Sequence, residues 1–305
     1  NIIFYGGYKL PSIFNPTITI ELRRVTVLSV VLDDRRDFML QYGFAFNTYI
    51  LTITFVIGLV MGSFINCVAW RIAHHENFIH GRSHCPVCGH TLTPIELIPI
   101  LSYVMQKGKS RCCGEKISVR YPITEFLTAM LFLGLVWKFD VSLDSFMFMV
   151  LVLILLAVAL IDLDTGIIPD GFILIGIFNF ILFRCFKGSN IFSGLLEGVI
   201  AGLAIAVPIL ILSLVMDRIL KKESMGGGDI KLFFMVGLYF SIRSNIFLVL
   251  LSCIFGIVFT MVFQNIRVDD EENPMAFPFG PSIAFAAVIS IFIGEPLMEL
   301  YFGLF

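Results

Sequence analysis

Two aspartates carry the strongest chemical signal in the chain. Asp162 ends an uninterrupted apolar run, MVLVLILLAVALI, and opens the string DLDTGIIPD, which reaches Pro169 and Asp170. Asp229 ends the run Gly226-Gly227-Gly228 and is followed by Ile230 and Lys231. A carboxylate beside an apolar helix is costly and needs a reason. Two of them can hydrolyse an amide together. One stays ionised and activates water, while the other stays protonated and polarises the scissile carbonyl. Close approach enforces that division, because two like charges cannot both ionise cheaply, and the pair then titrates as a unit. The glycines before Asp229 remove side-chain bulk, so an extended substrate can lie against the turn. Pro169 lacks an amide hydrogen and interrupts helix continuation near Asp162. Asp164, Asp170 and Asp217, also near helix ends, read as solvated caps or interface markers.

The elements that must position this pair are membrane helices. Of 305 residues, 58% are hydrophobic and 14% charged, whereas a soluble domain is nearer half apolar and about a quarter charged. The excess lies in runs approaching the roughly 20 residues that cross a bilayer as helix. The first covers Thr48–Trp70; others cover about 122–137, 146–161, 172–186, 193–216, 230–242, 245–264 and 277–304. The expected fold is therefore an all-α polytopic membrane protein of about eight transmembrane helices. A small cytoplasmic, zinc-knuckle-like segment separates helices one and two. No internal repeat is visible. Residues 1–47 form an N-terminal extension of unassigned role, with Arg23, Arg24, Arg35 and Arg36 but no convincing signal peptide. Helix one is 48–70, the cysteine-containing segment 71–120, and the transmembrane core that carries both aspartates 121–305.

Orientation follows from basic residues beside the membrane. With the segment 71–120 in the cytoplasm, the basic residues divide about twelve inside to four outside. Both aspartates then fall on the cytoplasmic side. The net charge of -2 offers no basic surface for nucleic acid, and no such partner is expected.

Seven cysteines are present. Cys85 and Cys88 form a Cys-x-x-Cys half-site for zinc. Further along, Cys112 and Cys113 stand side by side, two residues after Ser110. Cys85, Cys88, Cys112 and Cys113 are the metal-ligand candidates. The fourth ligand stays open between Cys112 and a nearby His84 or His90, or the site is weakened. A closed thiolate shell would be structural, because it leaves no position for substrate. His74, His75 and His80 read as solvated loop residues. Cys67, Cys185 and Cys253 read as small buried side chains. The acidic run Asp269–Glu272 reads as a solvated loop, and Glu125 and Glu197 as polar contacts between helices.

Four ordered motifs resemble the prepilin peptidase, or type IV leader peptidase, family of Gly-x-Gly-Asp intramembrane aspartyl proteases. They are Gly62-Ser63-Phe64-Ile65-Asn66-Cys67 with Arg71; Ile117-Ser118-Val119-Arg120-Tyr121-Pro122 with Glu125; Asp162 six residues before Ile168-Pro169-Asp170; and Gly226-Gly227-Gly228-Asp229. The resemblance covers roughly 48–305. It implies catalysis by Asp162 and Asp229 in the bacterial cytoplasmic membrane. The implied reaction removes the basic leader from type IV prepilin or pseudopilin precursors, after a Gly and on the cytoplasmic side. It also implies N-methylation of the new terminus with S-adenosylmethionine, for which Glu125 and Arg120 are candidates, and a structural zinc held by two Cys-x-x-Cys pairs; the second pair is altered here, with Ser110 where the third Cys is expected and Cys113 matching the fourth. The competing reading is a proton- or cation-coupled transporter using the same acid pair. A noncatalytic membrane scaffold held by the zinc module is the third.

Overall fold

The computed structural model describes residues 44–77, 81–187, 190–222, 224–263 and 278–303. Most of the N-terminal extension, His80, Arg267 and the acidic run Asp269–Glu272 lie outside the described residues. The chain divides into two units, Leu51–Leu300 and a second comprising Asn1–Ile50 with Tyr301–Phe305. The helices that carry Asp162 and Asp229 belong to the first.

Among the described residues every regular element is a helix. In chain order these are α1 (Phe44–Ala73), α2 (Leu101–Met105), α3 (Arg120–Phe139), α4 (Leu143–Thr165), α5 (Asp170–Phe186), α6 (Ile191–Leu220), α7 (Gly227–Gly237), α8 (Ile242–Phe263), α9 (Gly280–Ile289) and α10 (Glu295–Phe302). A π-helical stretch, Ser290–Gly294, joins the last two. Among the described residues, six helical stretches are long and apolar enough to cross a membrane: α1, α3, α4, α6, α8 and the run from α9 through α10. Helix α5 has 17 residues, at the short end of the crossing range. Helix α7 has only 11, about 16 Å of helix, and cannot cross alone. Helix α7 covers the expected span 230–242 only in part. It starts earlier, because Gly226 takes an extended conformation and serves as N-cap, and Asp229 thus falls within the first turn.

Helix α4 is the centre of the bundle. In its most apolar window 61% is buried, against 22–39% for the other crossing candidates. Leu151, Val152, Leu155, Ala157 and Val158 are fully enclosed. Helices α3, α5 and α9 pack around it. Its start is capped by Ser142, whose hydroxyl accepts the Ser145 N–H, and its end by Gly166 in the left-handed region at φ 68°.

Helix α7 is held against α6 by close backbone approach. A Cβ on Gly202 would lie 2.9 Å from the Phe234 carbonyl oxygen, and one on Gly237 would lie 2.9 Å from the Gly202 Cα. Small residues at such crossings let dispersion and backbone contacts replace the missing hydrophobic drive of a lipid environment. The buried Asn179 amide donates to Tyr239 Oη at 2.9 Å and to the Met147 carbonyl at 3.1 Å, and Tyr239 donates to the Gly176 carbonyl at 2.6 Å. These bonds fix the far end of α7 to α4 and α5.

Not every cysteine in an apolar span is buried. Cys185 and Cys253 are exposed and Cys67 is half-buried, which corrects the expected burial. On a helix facing lipid, an outward thiol needs no water and gains little by turning inward. Glu197 is likewise exposed, so the expected helix–helix contact is not formed by that residue.

Gly202→Val tests the α6–α7 approach. It should destabilise the protein by about 1–3 kcal/mol through overpacking, read as a lower thermal midpoint in detergent. An unchanged midpoint would show that the contact is not tight.

Candidate active site and metal centre

Asp162 and Asp229 line one cavity of about 390 Å³ with Gly166, Ile167, Ile168, Pro169, Asp170, Gly226, Gly228 and Lys231. They are brought together by the end of α4 and the start of α7. Asp162 is 4% exposed, and its Oδ2 accepts the Gly280 N–H at 2.8 Å. Gly280 begins α9. Asp229 is half-buried and sits where the α7 N-terminus leaves unpaired N–H groups. Gly227 would meet no atom within 4 Å if it carried a Cβ, so that stretch of turn is open on its outer side. Upstream, Asp217 accepts both the backbone N–H and the hydroxyl of Ser224 at 2.6 Å, which fixes the approach to the glycine run.

The other acids at this end have partners instead of serving as solvated caps. Asp164 pairs with Arg120 at 2.6 Å, and the same guanidinium donates to the Leu160 carbonyl at 3.1 Å. Asp170, in the first turn of α5, pairs with Lys231 of α7 at 2.7 Å, so these two close one side of the cavity. Asp170 does stand at a helix N-terminus, whereas Asp164 and Asp217 lie near helix C-termini, where a carboxylate cannot cap N–H groups.

The cysteines meet in the segment between α1 and α3. The Sγ atoms of Cys85, Cys88, Cys112 and Cys113 lie within 4.8 Å of one another, with Cys85···Cys113 at 3.8 Å and Cys88···Cys112 at 3.1 Å. Four sulfurs around a tetrahedral zinc, each at ~2.3 Å, are separated by about 3.8 Å, so the set fits that ion. Two matching turns build it. In the first, Cys85 N–H donates to the His90 carbonyl and Gly89 N–H to the Cys85 carbonyl; in the second, Ser110 N–H donates to Glu115 and Gly114 N–H to Ser110. Gly89 and Gly114 both take positive φ, 70° and 75°. Ser110 is therefore the backbone counterpart of Cys85, Cys113 that of Cys88, and Cys112 that of Val87. The Ser110 hydroxyl lies 3.0 Å from the Cys112 sulfur. The Cys88 N–H holds the Cys85 thiol down at about 6, while hydrogen bonding to Cys112 pushes the Cys88 thiol up to about 12. A soft dication bound by four such thiols displaces their protons.

The histidines serve other contacts. His74 stacks on Trp70 at 4.2 Å and His84 meets its edge at 5.6 Å. His84 Nε2 lies 3.5 Å from Glu76, and His90 is exposed. Buried Arg71 donates to the carbonyls of Asn77 and Gly81, and Glu125 accepts the Ile100 N–H at 2.7 Å.

Helical spans around a cavity lined by two carboxylates define the class, a polytopic membrane protein. The bacterial peptidase A24 N-terminal domain matches residues 56–139, and the type IV leader peptidase family model matches residues 149–261. A relative from Bacillus subtilis (strain 168), named prepilin leader peptidase/N-methyltransferase, is 33% identical over 256 residues, 82% of this chain and 97% of that protein. Similarly named proteins from Pseudomonas putida (29% over 271 residues, 82% and 92%) and Myxococcus xanthus (strain DK1622) (32% over 204 residues, 67% and 60%) also match. No solved structure matches. The chain belongs to the type IV leader peptidase family and is a membrane peptidase.

The pair Arg120–Asp164 ties the start of α3 to the end of α4 that carries Asp162. Arg120→Ala should lower stability by about 1 kcal/mol, since the pair is partly solvated but also satisfies a backbone carbonyl. The check is the thermal midpoint in detergent, and the loss should persist at high salt to the extent that the carbonyl bond contributes.

Proposed function

We propose that this chain removes the short basic leader from type IV prepilin-like precursors at the cytoplasmic face of the bacterial inner membrane, with Asp162 and Asp229 as the catalytic pair. The observation that carries this reading is the glycine-edged cavity that both carboxylates line. Support for the cytoplasmic face is the bias of basic residues toward the segment 71–120 and the α6–α7 joint. The precursor class comes from the name that the relatives carry.

The chemistry follows from one shared proton. The ionised carboxylate takes a proton from water, whose oxygen attacks the carbonyl carbon of the scissile bond. The protonated carboxylate gives its proton to the carbonyl oxygen. The tetrahedral intermediate then collapses: the C–N bond breaks as the first carboxyl protonates the leaving nitrogen, and the second recovers a proton from a hydroxyl of the intermediate. Gly226–Gly228 offers an open edge for extended substrate backbone, which is required because a helical peptide bond cannot be reached.

Cys85, Cys88, Cys112 and Cys113 would hold a structural zinc, which would supply a cross-link between the two turns and no chemistry at the aspartates. The relatives' name also carries N-methyltransferase, and methylation of the new N-terminus with S-adenosylmethionine is the second activity of this reading. Arg120 and Glu125 do not fit as its binding residues. Arg120 is engaged by Asp164 and Leu160, and Glu125 by the Ile100 N–H. The cavity beside Glu125 is lined by Ile100, Tyr103, Val104, Ile123 and other apolar neighbours, with no charge to meet an amino acid moiety.

Purified protein mixed with a prepilin precursor should release the leader, seen as a gel shift. Asp162→Asn and Asp229→Asn should each abolish release, by at least a thousandfold, without loss of folded protein. Cleavage that survives in both variants would return the pair to a proton or cation relay. Elemental analysis should find one zinc per chain, with occupancy reduced in Cys112→Ser; unchanged zinc in that variant would remove Cys112 from the ligand set.

A further inference from the structure

The two carboxylates are held differently. Asp162 receives a directed main-chain N–H, that of Gly280, at 2.8 Å in a buried position. Among the described residues no hydrogen bond of that kind reaches the Asp229 carboxylate. Both acids stand near a helix N-terminus, Asp162 against α9 and Asp229 within the first turn of α7, so the helix dipoles alone do not separate them. The directed N–H does. A hydrogen bond donated to a carboxylate favours its ionised form and is about twice as strong as a neutral one.

Resting on the catalytic reading above, we propose that the first turn of α9 assigns the roles within the pair. Asp162 is the ionised member that takes the proton from water, Asp229 is the protonated member that gives its proton to the substrate carbonyl oxygen, and Gly280 is the positioning residue. The geometry explains why a glycine stands there. A Cβ on Gly280 would lie 2.6 Å from Asp162 Oδ2 and 3.1 Å from its Cγ. The residue is not among those with positive φ, so an alanine would meet no backbone strain; its cost is the collision with Asp162. Only a residue without a side chain lets the N–H come within bonding distance of that carboxylate.

The pH profile separates this assignment from its reverse. The active pair carries one negative charge, so activity rises with pH through the first ionisation and falls through the second. If the single charge rests on Asp162, losing the Gly280 N–H weakens the monoanion and the dianion alike. The rising limb then moves to higher pH and the falling limb stays. If the charge rests on Asp229, the rising limb stays and the falling limb moves. Other charges facing Asp162 are Asp229 of α7, the Lys231–Asp170 pair across the cavity and the Arg120–Asp164 pair between the start of α3 and the end of α4. Helix α9, with sequence GPSIAFAAVI, brings no titratable side chain.

The test uses the full chain in detergent with a prepilin precursor, comparing the wild type with Gly280→Ala. Ser282→Ala is the control; its hydroxyl is buried in the same turn without a hydrogen-bond partner, so its removal should leave the profile in place. Gly280→Ala should lower kcat roughly a hundredfold through misplacement of the base, with KM little changed and the rising limb displaced to higher pH. An unmoved profile, or displacement of the falling limb, overturns the assignment. A stability cycle covers poor folding of the variant: Gly280→Ala should lower the thermal midpoint less in an Asp162→Ala background than in the wild type. Equal losses in both backgrounds would overturn the contact itself. Cleavage that survives Asp162→Asn fails the functional reading instead, and the cycle still decides the Gly280–Asp162 contact.

Discussion

The cost of placing two carboxylates at the edge of an apolar bundle governs the rest of the structure. A charge loses hydration there and must recover it from fixed dipoles. Helix starts supply them, because their first N–H groups lack internal partners. Helix α9 begins at Asp162, and the N-cap of α7, Gly226, places Asp229 in the first turn of its own helix. Two helix N-termini therefore converge on one cavity. Glycine is needed at both starts: Gly280 leaves room for Asp162, and Gly228 brings α7 against Ile168, whose Cβ would lie 3.1 Å from an added side chain.

Convergence at this end depends on anchors at the other. Helix α9 is continued by the π-helical stretch Ser290–Gly294, whose wider register leaves carbonyls without their usual partners. Lys138, in the last turn of α3, donates to the carbonyls of Ile291 and Phe292. The α9 axis is thus fixed to α3 at its far end while its first N–H meets Asp162. Helix α7 is fixed by Gly202–Gly237 contact and by Tyr239.

Local pattern makes part of this legible. Apolar runs locate the helices, and the run ending at Asp162 marks the most buried one, because a helix enclosed on all sides is apolar on all sides. Asp229 is marked by its glycines, and Cys85 with Cys88 by their spacing. What escapes is long-range. Gly280 lies 118 residues from Asp162, in a stretch that reads as an ordinary Gly-Pro helix start. The partners of Asp164 and Asp170 sit on other helices, Arg120 and Lys231, and pairing across helices leaves no periodic trace. Outward placement of Cys185 and Cys253 escapes for a different reason: in a lipid-facing helix the outer and inner faces are both apolar, so burial cannot be read from residue type. Ser110 reads as a broken ligand position. Only the repeated backbone turn reveals that Cys112 reaches the cluster from the place that Val87 holds in the first turn.

The cysteine module is connected to the aspartates through α3. Arg71 at the end of α1 holds two loop carbonyls, Asn66 accepts the Thr124 hydroxyl at 2.9 Å and donates to the Tyr121 carbonyl at 3.3 Å, and Glu125 binds the Ile100 N–H just before α2. These bonds attach both ends of the segment to the first turns of α3. From the same turns Arg120 reaches Asp164 and Leu160 on α4, within one helical turn of Asp162. The segment that holds the four thiols is thus joined through the first turns of α3 to the end of α4, but none of those groups enters the cavity. The module is thereby suited to set the position of the α4 terminus, and the charges that do the chemistry are left to the two aspartates and the helix starts that face them.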